Sequence, residues 1–257
     1  MSQPVQPVAL PGGGSRSLPA EVPVAMVFDA QTQAVMMATP ADLEDFATGF
    51  ALTEGFGAIR DLEVVTHPTG VEARMWLGAE ASAALNARRR TMLGPVGCGL
   101  CGIDSLRQAL RSLPVLPPGG PVLTAAEVIA APAALRARQP LHDATLAVHA
   151  AGFLRPGEGL VLAREDVGRH NALDKLIGAL IRQGTDPASG AVVLTSRVSL
   201  DMVQKTVIAR CPVLIAVSAP TVAALDAARA AGLTVAASAR GGAFDLFTHP
   251  DRIRGDA

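Results

Sequence analysis

The sequence predicts an α/β fold, in which a smaller α+β N-terminal half is followed by a layered αβ second half. In the second half, short apolar runs alternate with amphipathic helical runs, a rhythm that is typical of βαβ units. A segment with four prolines and two glycines in eight residues, PVLPPGGP at 114–121, separates the two halves. The chain has 257 residues, of which 49% are hydrophobic and 18% are charged, so it can bury a sizeable core.

These observations divide the chain into four predicted parts. Residues 1–20 are rich in proline, glycine and serine and predict a flexible tail. Residues 21–113 are predicted to form the N-terminal α+β domain, residues 114–121 the linker, and residues 122–257 the second domain.

Hydrophobic spacing and helix-cap residues predict the elements of the first half. A helix is expected to open at Thr39-Pro40, because threonine caps helices and proline suits the first helical position, and to stop near Gly55. The other predicted elements are two strands about a polar turn at 21–39, a hairpin at 62–78 and a helix at 80–90.

The second half contains more strand-like runs than the first. These runs are at 144–154, 159–164, 191–196, 212–218, 233–239 and 244–248. The helical runs are at 124–138, 171–183, 200–210 and 221–231. Because most of the helices lie between strands, the pattern predicts a mostly parallel, buried sheet.

Polar loops follow four of these strands, with the sequences REDVGRHN, TSRVS, SAPT and SARGG. Ligands bind at the carboxyl ends of the strands in such sheets, so the loops are expected along one rim. Three of the loops carry arginine and three open onto helix N-termini, and both features favour phosphate. The sequence therefore predicts a nucleotide-like ligand at this rim.

The charged segment REDVGRHNALDK (164–175) is open to two interpretations. It predicts a salt-bridged helix start capped by Asn171, with Asp174 three residues later. An acid–base role for Asp166 or His170 is the alternative, and spacing alone does not decide between them.

Two further residues are expected to be structural. His149 lies in an apolar strand-like run and is expected to be a core histidine. Cys211 precedes a strand and is expected to be a buried, inert thiol.

The segment LGPVGCGLCGIDSL (93–106) holds Cys98 and Cys101 as a C-x-x-C pair between glycines. Three arginines lie just upstream at 88–90, and positive charge favours the reactive thiolate. A flexible loop suits a thiol that visits two different partners. Two alternatives stay open: a dithiol redox protein, and a non-catalytic assembly module clipped by zinc. A structural zinc site needs four ligands, which Cys211 and a histidine, or a second chain, would complete.

Composition and motifs exclude several function classes. The net charge of −1 gives no general attraction to nucleic acid or to anionic membranes. No run of 18 apolar residues predicts a membrane span, and the absence of an export signal makes the cytoplasm the expected location. The H-x-E motif of the zinc deaminases is absent, which argues against that reaction.

Five motifs along the chain together resemble the FdhD family, sulfur carrier proteins needed to make active formate dehydrogenase. They are TPADLEDFATGFALTEG, RRR followed by CGLCG, REDVGRHNALDK, RVSLDMVQK and VSAPTVAALDAARAAGLTV, and the resemblance covers about 21–250. It implies a homodimer whose second domain has a cytidine deaminase-like fold without zinc chemistry.

The resemblance also implies a reaction. Persulfide sulfur would pass from a cysteine desulfurase to Cys98, with Cys101 as the second cysteine of the pair. It would then pass to the molybdenum (or tungsten) bis-molybdopterin guanine dinucleotide cofactor, before the cofactor enters the formate dehydrogenase catalytic subunit. The cofactor is cargo, GDP mimics its nucleotide end, and no resident metal is expected.

The cargo is expected to bind along the rim. The family's cofactor-binding stretch corresponds to Ser238, Ala239, Arg240, Gly241, Gly242 and Ala243. Arg169 and the helix N-termini near Ser199 and Thr221 are expected to help hold its phosphates.

The chain departs from the family pattern at four places near the rim. They are Thr145-Leu146-Ala147 for T-G-G, Thr195-Ser196-Arg197 for S/T-G-R, Ala209-Arg210-Cys211-Pro212 for A-G-x-P, and Ser238 for the aromatic of F-x-R-G. None of these departures touches the cysteine loop.

Overall fold

The computed structural model describes residues 3–83, 85 and 112–255. The strands are β1 (Val5–Ala9), β2 (Ser15–Pro19), β3 (Val22–Phe28), β4 (Gln31–Ala38), β5 (Ile59–His67), β6 (Gly70–Leu77), β7 (Leu123–Thr124), β8 (His149–Arg155), β9 (Gly159–Asp166), β10 (Ala191–Leu194), β11 (Val213–Ala216), β12 (Thr234–Arg240), β13 (Ala243–Thr248) and β14 (Ile253–Arg254). The helices are α1 (Leu43–Thr53), α2 (Ala125–Arg136), α3 (Pro140–Thr145), α4 (Arg169–Arg182), α5 (Leu200–Ile208) and α6 (Val222–Ala231). Residues 79–83 are also helical.

The N-terminal half is a four-stranded sheet in the order β4-β3-β6-β5, with α1 packed on one face. Alternate residues of β3 and β6 point toward α1, where they form a core with phenylalanines of the helix. The turn between β3 and β4 is Asp29-Ala30, and both residues have positive φ, at 47° and 62°. This two-residue turn matches the right-handed twist of the strands that it joins. Strands β5 and β6 also pair in antiparallel fashion, so both predicted hairpins of this half are confirmed.

The predicted start of α1 is wrong by three residues. The helix begins at Leu43, after Asp42 in a left-handed conformation, and Thr39 is not its cap. Instead Thr39 is fully buried, and its backbone N–H donates to Asp166 Oδ2 at 3.0 Å. The predicted stop is confirmed, because α1 ends at Thr53 and Gly55 has a φ of 79°.

The second half is a six-stranded sheet in the order β13-β12-β11-β10-β8-β9. Only β10–β11 and β11–β12 are parallel pairs, while the other three pairs are antiparallel. The prediction of a mostly parallel sheet is therefore wrong. Parallel pairing needs a crossover, usually a helix, whereas β8–β9 and β12–β13 are joined by short turns.

Helices cover both faces of this sheet. The helices α4, α5 and α6 pack on one face, where their leucine, valine and alanine side chains join those of the strands. Helix α2 packs on the other face through Val128, Ala131 and Leu135. The result is a three-layer αβα arrangement, which confirms the α/β class.

Two segments outside this sheet differ from the prediction. Residues 5–9 and 15–19, expected within a flexible tail, pair as an antiparallel hairpin that packs against α3. Backbone pairing builds this hairpin, since nearly all of its side chains are exposed. The run at 144–154 is a strand only from His149, because α3 occupies its first residues.

The two halves meet where α1 crosses α4. A Cβ atom added to Gly49 would lie 1.8 Å from the carbonyl oxygen of Asp174, and one added to Gly178 would lie 1.8 Å from that of Asp45. The missing side chains allow the two helix backbones to touch. Arg182 also pairs with Asp45 at 2.6 Å across the contact.

Candidate functional site

The four polar loops share one rim of the six-stranded sheet. Strands β10, β11 and β12 run in parallel, and both β9 and β10 run opposite to β8. The carboxyl ends of β9, β10, β11 and β12 therefore lie at the same edge. The loops that follow them meet there, as the sequence predicts.

A cavity of about 520 Å³ opens at this rim. Its polar lining includes His149, Thr195 and Arg240, and Ala239 contributes to its apolar wall. The remaining lining residues come from α2, α3 and the ends of β8 and β11, and they are Pro132, Ala133, Arg136, Gln139, His142, Val148 and Val217. Two residues of the predicted cofactor stretch, Ala239 and Arg240, thus lie at a cavity.

His149 faces this cavity, and the prediction of a core histidine is wrong. It is the first residue of β8, and its Nδ1 lies 3.4 Å from Thr195 Oγ1. Burial lowers the pKa of His149, and the positive charges of Arg169 and His142 act in the same direction. In the mostly parallel sheet that the sequence predicts, the first residue of this strand would lie at the opposite edge. In an antiparallel β8, the first residue lies at the rim.

Three buried polar atoms at the rim have no hydrogen-bond partner among residues 3–83, 85 and 112–255: Arg169 Nε, His170 Nε2 and Ser199 Oγ. Arg169 and His170 open α4, and Ser199 occupies the N-cap position of α5 without a side-chain capping bond. Buried polar groups are normally paired, so the three atoms fit a ligand that completes their hydrogen bonds. Two of the three residues, Arg169 and Ser199, are predicted cofactor-binding residues.

Comparison with known proteins assigns the family. The sequence profile of the FdhD/NarQ family matches residues 19–254. The chain belongs to the FdhD/NarQ family.

Relatives and a solved structure extend this match. A protein of Agrobacterium fabrum named "Sulfur carrier protein FdhD" is 51% identical over 247 residues, which cover 95% of this chain and 91% of the relative. A protein of the same name from Brucella abortus is 53% identical and covers 93% of this chain and 90% of its own length. The crystal structure of a formate dehydrogenase accessory protein from Desulfotalea psychrophila has a TM-score of 0.72, 25% identity and 97% coverage of both chains.

The other predicted cofactor-binding residues lie at a hairpin tip and at a helix N-terminus of this FdhD/NarQ fold. Residues 238–243 form the tip of the β12–β13 hairpin, where Gly241 and Gly242 have φ values of 64° and 83°. A two-residue hairpin turn requires such values, so the glycines have a structural explanation. Thr221 is exposed, and its hydroxyl caps α6 by accepting from the backbone N–H of Ala224 at 3.3 Å.

The family motif REDVGRHNALDK joins the two halves, and the prediction of a helix capped by Asn171 is wrong. Gly168 occupies the N-cap position of α4. Asn171 donates to Met37 O at 2.8 Å and to Asp166 Oδ1 at 2.9 Å. Lys175 Nζ pairs with Asp166 Oδ2 at 2.7 Å, and both side chains are fully buried. Asp166 is therefore a structural anion and not an acid–base group open to a ligand.

The two cysteines of the predicted catalytic pair, Cys98 and Cys101, lie outside the described residues. Cys211 is fully buried, as predicted, and burial raises the pKa of its thiol to about 12. It lies in the core of the second half and is not available to complete a zinc site. Within the described ranges, no group of three or more His, Cys, Asp or Glu residues is arranged to hold a metal.

None of the helices in the described part of the chain combines the length and the apolar character that crossing a bilayer requires.

Proposed function

We propose that this chain is a sulfur carrier that accepts persulfide sulfur from a cysteine desulfurase. It delivers the sulfur to a molybdenum (or tungsten) bis-molybdopterin guanine dinucleotide cofactor destined for formate dehydrogenase. The names of its relatives support the carrier role, and the name of the Desulfotalea neighbour supports the client. The observation that carries the binding half of the proposal is the set of unpaired buried atoms of Arg169, His170 and Ser199.

The rim suits the chemistry of this cargo. The cofactor carries diphosphate groups, which are bound well by guanidinium groups, hydroxyls and helix N-termini. Arg169 and Ser199 open α4 and α5, while Arg240 reaches the cavity from the opposite side of the rim. The cavity that Arg240 lines has a mainly apolar wall, which suits a planar ring. We also propose that the layered second half is cytidine deaminase-like and that the chain acts as a homodimer.

Sulfur loading is a thiol exchange at Cys98. Its thiolate attacks the terminal sulfur of the desulfurase persulfide, the sulfur–sulfur bond of the donor breaks, and the donor cysteine leaves as a thiolate. Cys98 then carries the persulfide. Attack of the Cys101 thiolate on the inner sulfur of Cys98 forms a disulfide and releases the carried atom as hydrosulfide. This chemistry requires reduced thiols, which suits the cytoplasm.

The test is sulfur loading followed by mass spectrometry. After incubation with a desulfurase and cysteine, we expect the chain to gain the mass of one sulfur atom at Cys98. Cys98→Ala should abolish the gain, while Cys211 is an internal control, because a thiol with a pKa of about 12 is inert at neutral pH. Undiminished loading of the Cys98→Ala variant would overturn the proposal. A tightly bound zinc lost on mutating either cysteine of the pair would favour the assembly module instead.

A further inference from the structure

His170 and Asp201 face each other at the rim, across the first turns of two helices. His170 Nε2 lies 3.6 Å from Asp201 Oδ2, just beyond hydrogen-bond distance. The imidazole is 31% exposed and the carboxylate 60% exposed. Part of each side chain is therefore open to solvent, while His170 Nε2 itself is buried.

The charges that face this imidazole come from two helices, α4 and α5. Arg169 adjoins it on α4, and Asp201 and Lys205 lie on α5. Lys205 is held in turn by Asp174 of α4 at 2.9 Å and by Glu54 at the end of α1 at 2.6 Å.

Burial and the charge of Arg169 lower the pKa of His170, and Lys205 adds to this effect. Asp201 opposes it. In the absence of a ligand, the ring is therefore mostly neutral at pH 7.

A bound phosphate would reverse this balance. Arg169 Nε and Ser199 Oγ are buried donors without partners among the described residues, and Ser199 precedes Asp201 by two residues. A phosphate that satisfies both donors brings negative charge close to the imidazole and favours its protonated form.

We propose that a phosphate-bearing ligand beside Arg169 is also held by protonated His170, oriented by Asp201, so that binding takes up a proton from solvent. This inference rests on the proposed function, because it assigns the phosphate to the cargo's nucleotide end. It adds a binding residue and a pH dependence to that function. By linkage, proton uptake on binding means that lower pH tightens binding.

The test is calorimetry of GDP binding to the full chain. Titrations at pH 7 in two buffers with different ionisation heats count the protons taken up. We expect net uptake by the wild-type chain and a clear reduction in His170→Gln. His67→Gln, which changes an exposed histidine of the N-terminal half, is the matched control and should behave as wild type. The terminal phosphate of GDP titrates near pH 6 itself, but it does so equally with every variant.

The pH profile gives a second readout. A pKa increase of one unit on binding corresponds to at most about tenfold in affinity, reached only below both pKa values. We therefore expect His170→Gln to bind GDP several-fold more weakly than wild type at pH 6 and nearly equally at pH 8. Asp201→Asn removes the group that raises the pKa of His170, so the rise in affinity should move to lower pH. A merely structural role for either residue would not shift this profile.

The possible outcomes separate this inference from the proposed function. If GDP binds and His170→Gln has the same proton uptake and pH profile as wild type, the inference is wrong and the proposed function stands. If the wild-type chain binds no GDP at either pH, the inference and the nucleotide-binding part of the proposed function both fail. Sulfur loading at Cys98 tests the carrier role independently of either result.

Discussion

At the scale of single residues, Leu146 has an unfavourable backbone conformation. Its φ is 56°, in the left-handed region, and its side chain is 63% exposed. It follows Thr145 at the end of α3, where the family motif that the chain resembles has glycine. A left-handed residue other than glycine costs about 1–2 kcal/mol, and an exposed leucine recovers little of this through burial.

We expect Leu146→Gly to stabilise the fold by about 1 kcal/mol. Glycine removes the strain of the left-handed conformation. Its greater flexibility in the unfolded chain offsets about half of the strain energy that is removed. The free energy of unfolding in urea is the measurement. Leu146→Ala is the control, since alanine keeps the strained conformation and should gain little. Equal stabilities for the glycine and alanine variants would contradict the argument.

The burial of individual residues could be predicted from the sequence, whereas polar contacts between distant segments could not. Cys211 directly precedes the apolar run at 212–217, a local pattern that predicts its burial. Thr39 and Asn171 looked like helix caps, and locally they fit that role. In the fold Thr39 contacts Asp166, 127 positions away, and Asn171 contacts Met37, 134 positions away. No local pattern predicts contacts at such separations.

At the scale of elements, the crossing of α1 and α4 depends on two glycines. Gly49 and Gly178 lie where the helix backbones touch, and a Cβ on either would overlap a carbonyl oxygen of the other helix. We expect Gly178→Ala to cost about 3 kcal/mol or more, because backbone atoms have little room to move apart. Gly12→Ala, which meets nothing within 4 Å, is the control and should be nearly neutral. Thermal or urea unfolding compares the two, and a near-neutral Gly178→Ala would show that the helices separate easily.

Most elements were predicted by hydrophobic periodicity, but the directions of the strands were not. The helices α4, α5 and α6 begin within two residues of the predicted positions, since each has one apolar face. The direction of β8 depends on what precedes and follows it, and periodicity carries no such information. That single direction decides whether His149 lies in the core or at the rim, so the cavity could not be predicted without it.

At the scale of the whole molecule, buried charges connect two halves that have separate apolar cores. Lys175 of α4 donates to the carbonyl oxygen of Thr39 at 2.9 Å and pairs with Asp166. Lys205 of α5 bonds Thr53 at the end of α1. Burial disfavours the charge of Lys205, but Asp174 and Glu54 outweigh it and raise its pKa. Each lysine has an ion-pair partner in its own half and a further polar partner in the N-terminal half. Unfolding the N-terminal half removes that further partner and exposes the buried pair, so we expect the halves to unfold together.

The single tryptophan makes this cooperativity measurable. Trp76 lies on β6 and reports on the N-terminal half, while most of the helical signal in circular dichroism comes from the second half. In the wild-type chain, we expect both signals to change at the same urea concentration.

Lys175→Met leaves Asp166 buried without its counter-charge, which costs about 3–5 kcal/mol at the junction. Both residues of this pair lie in the second half, so the helical transition should then move to lower urea and separate from the Trp76 transition. Arg155→Met, which removes an exposed ion pair with Glu158, should leave the two transitions coincident, because such pairs contribute about 0–1 kcal/mol. Coincident transitions in Lys175→Met at unchanged urea concentration would show that the buried pair does not couple the halves.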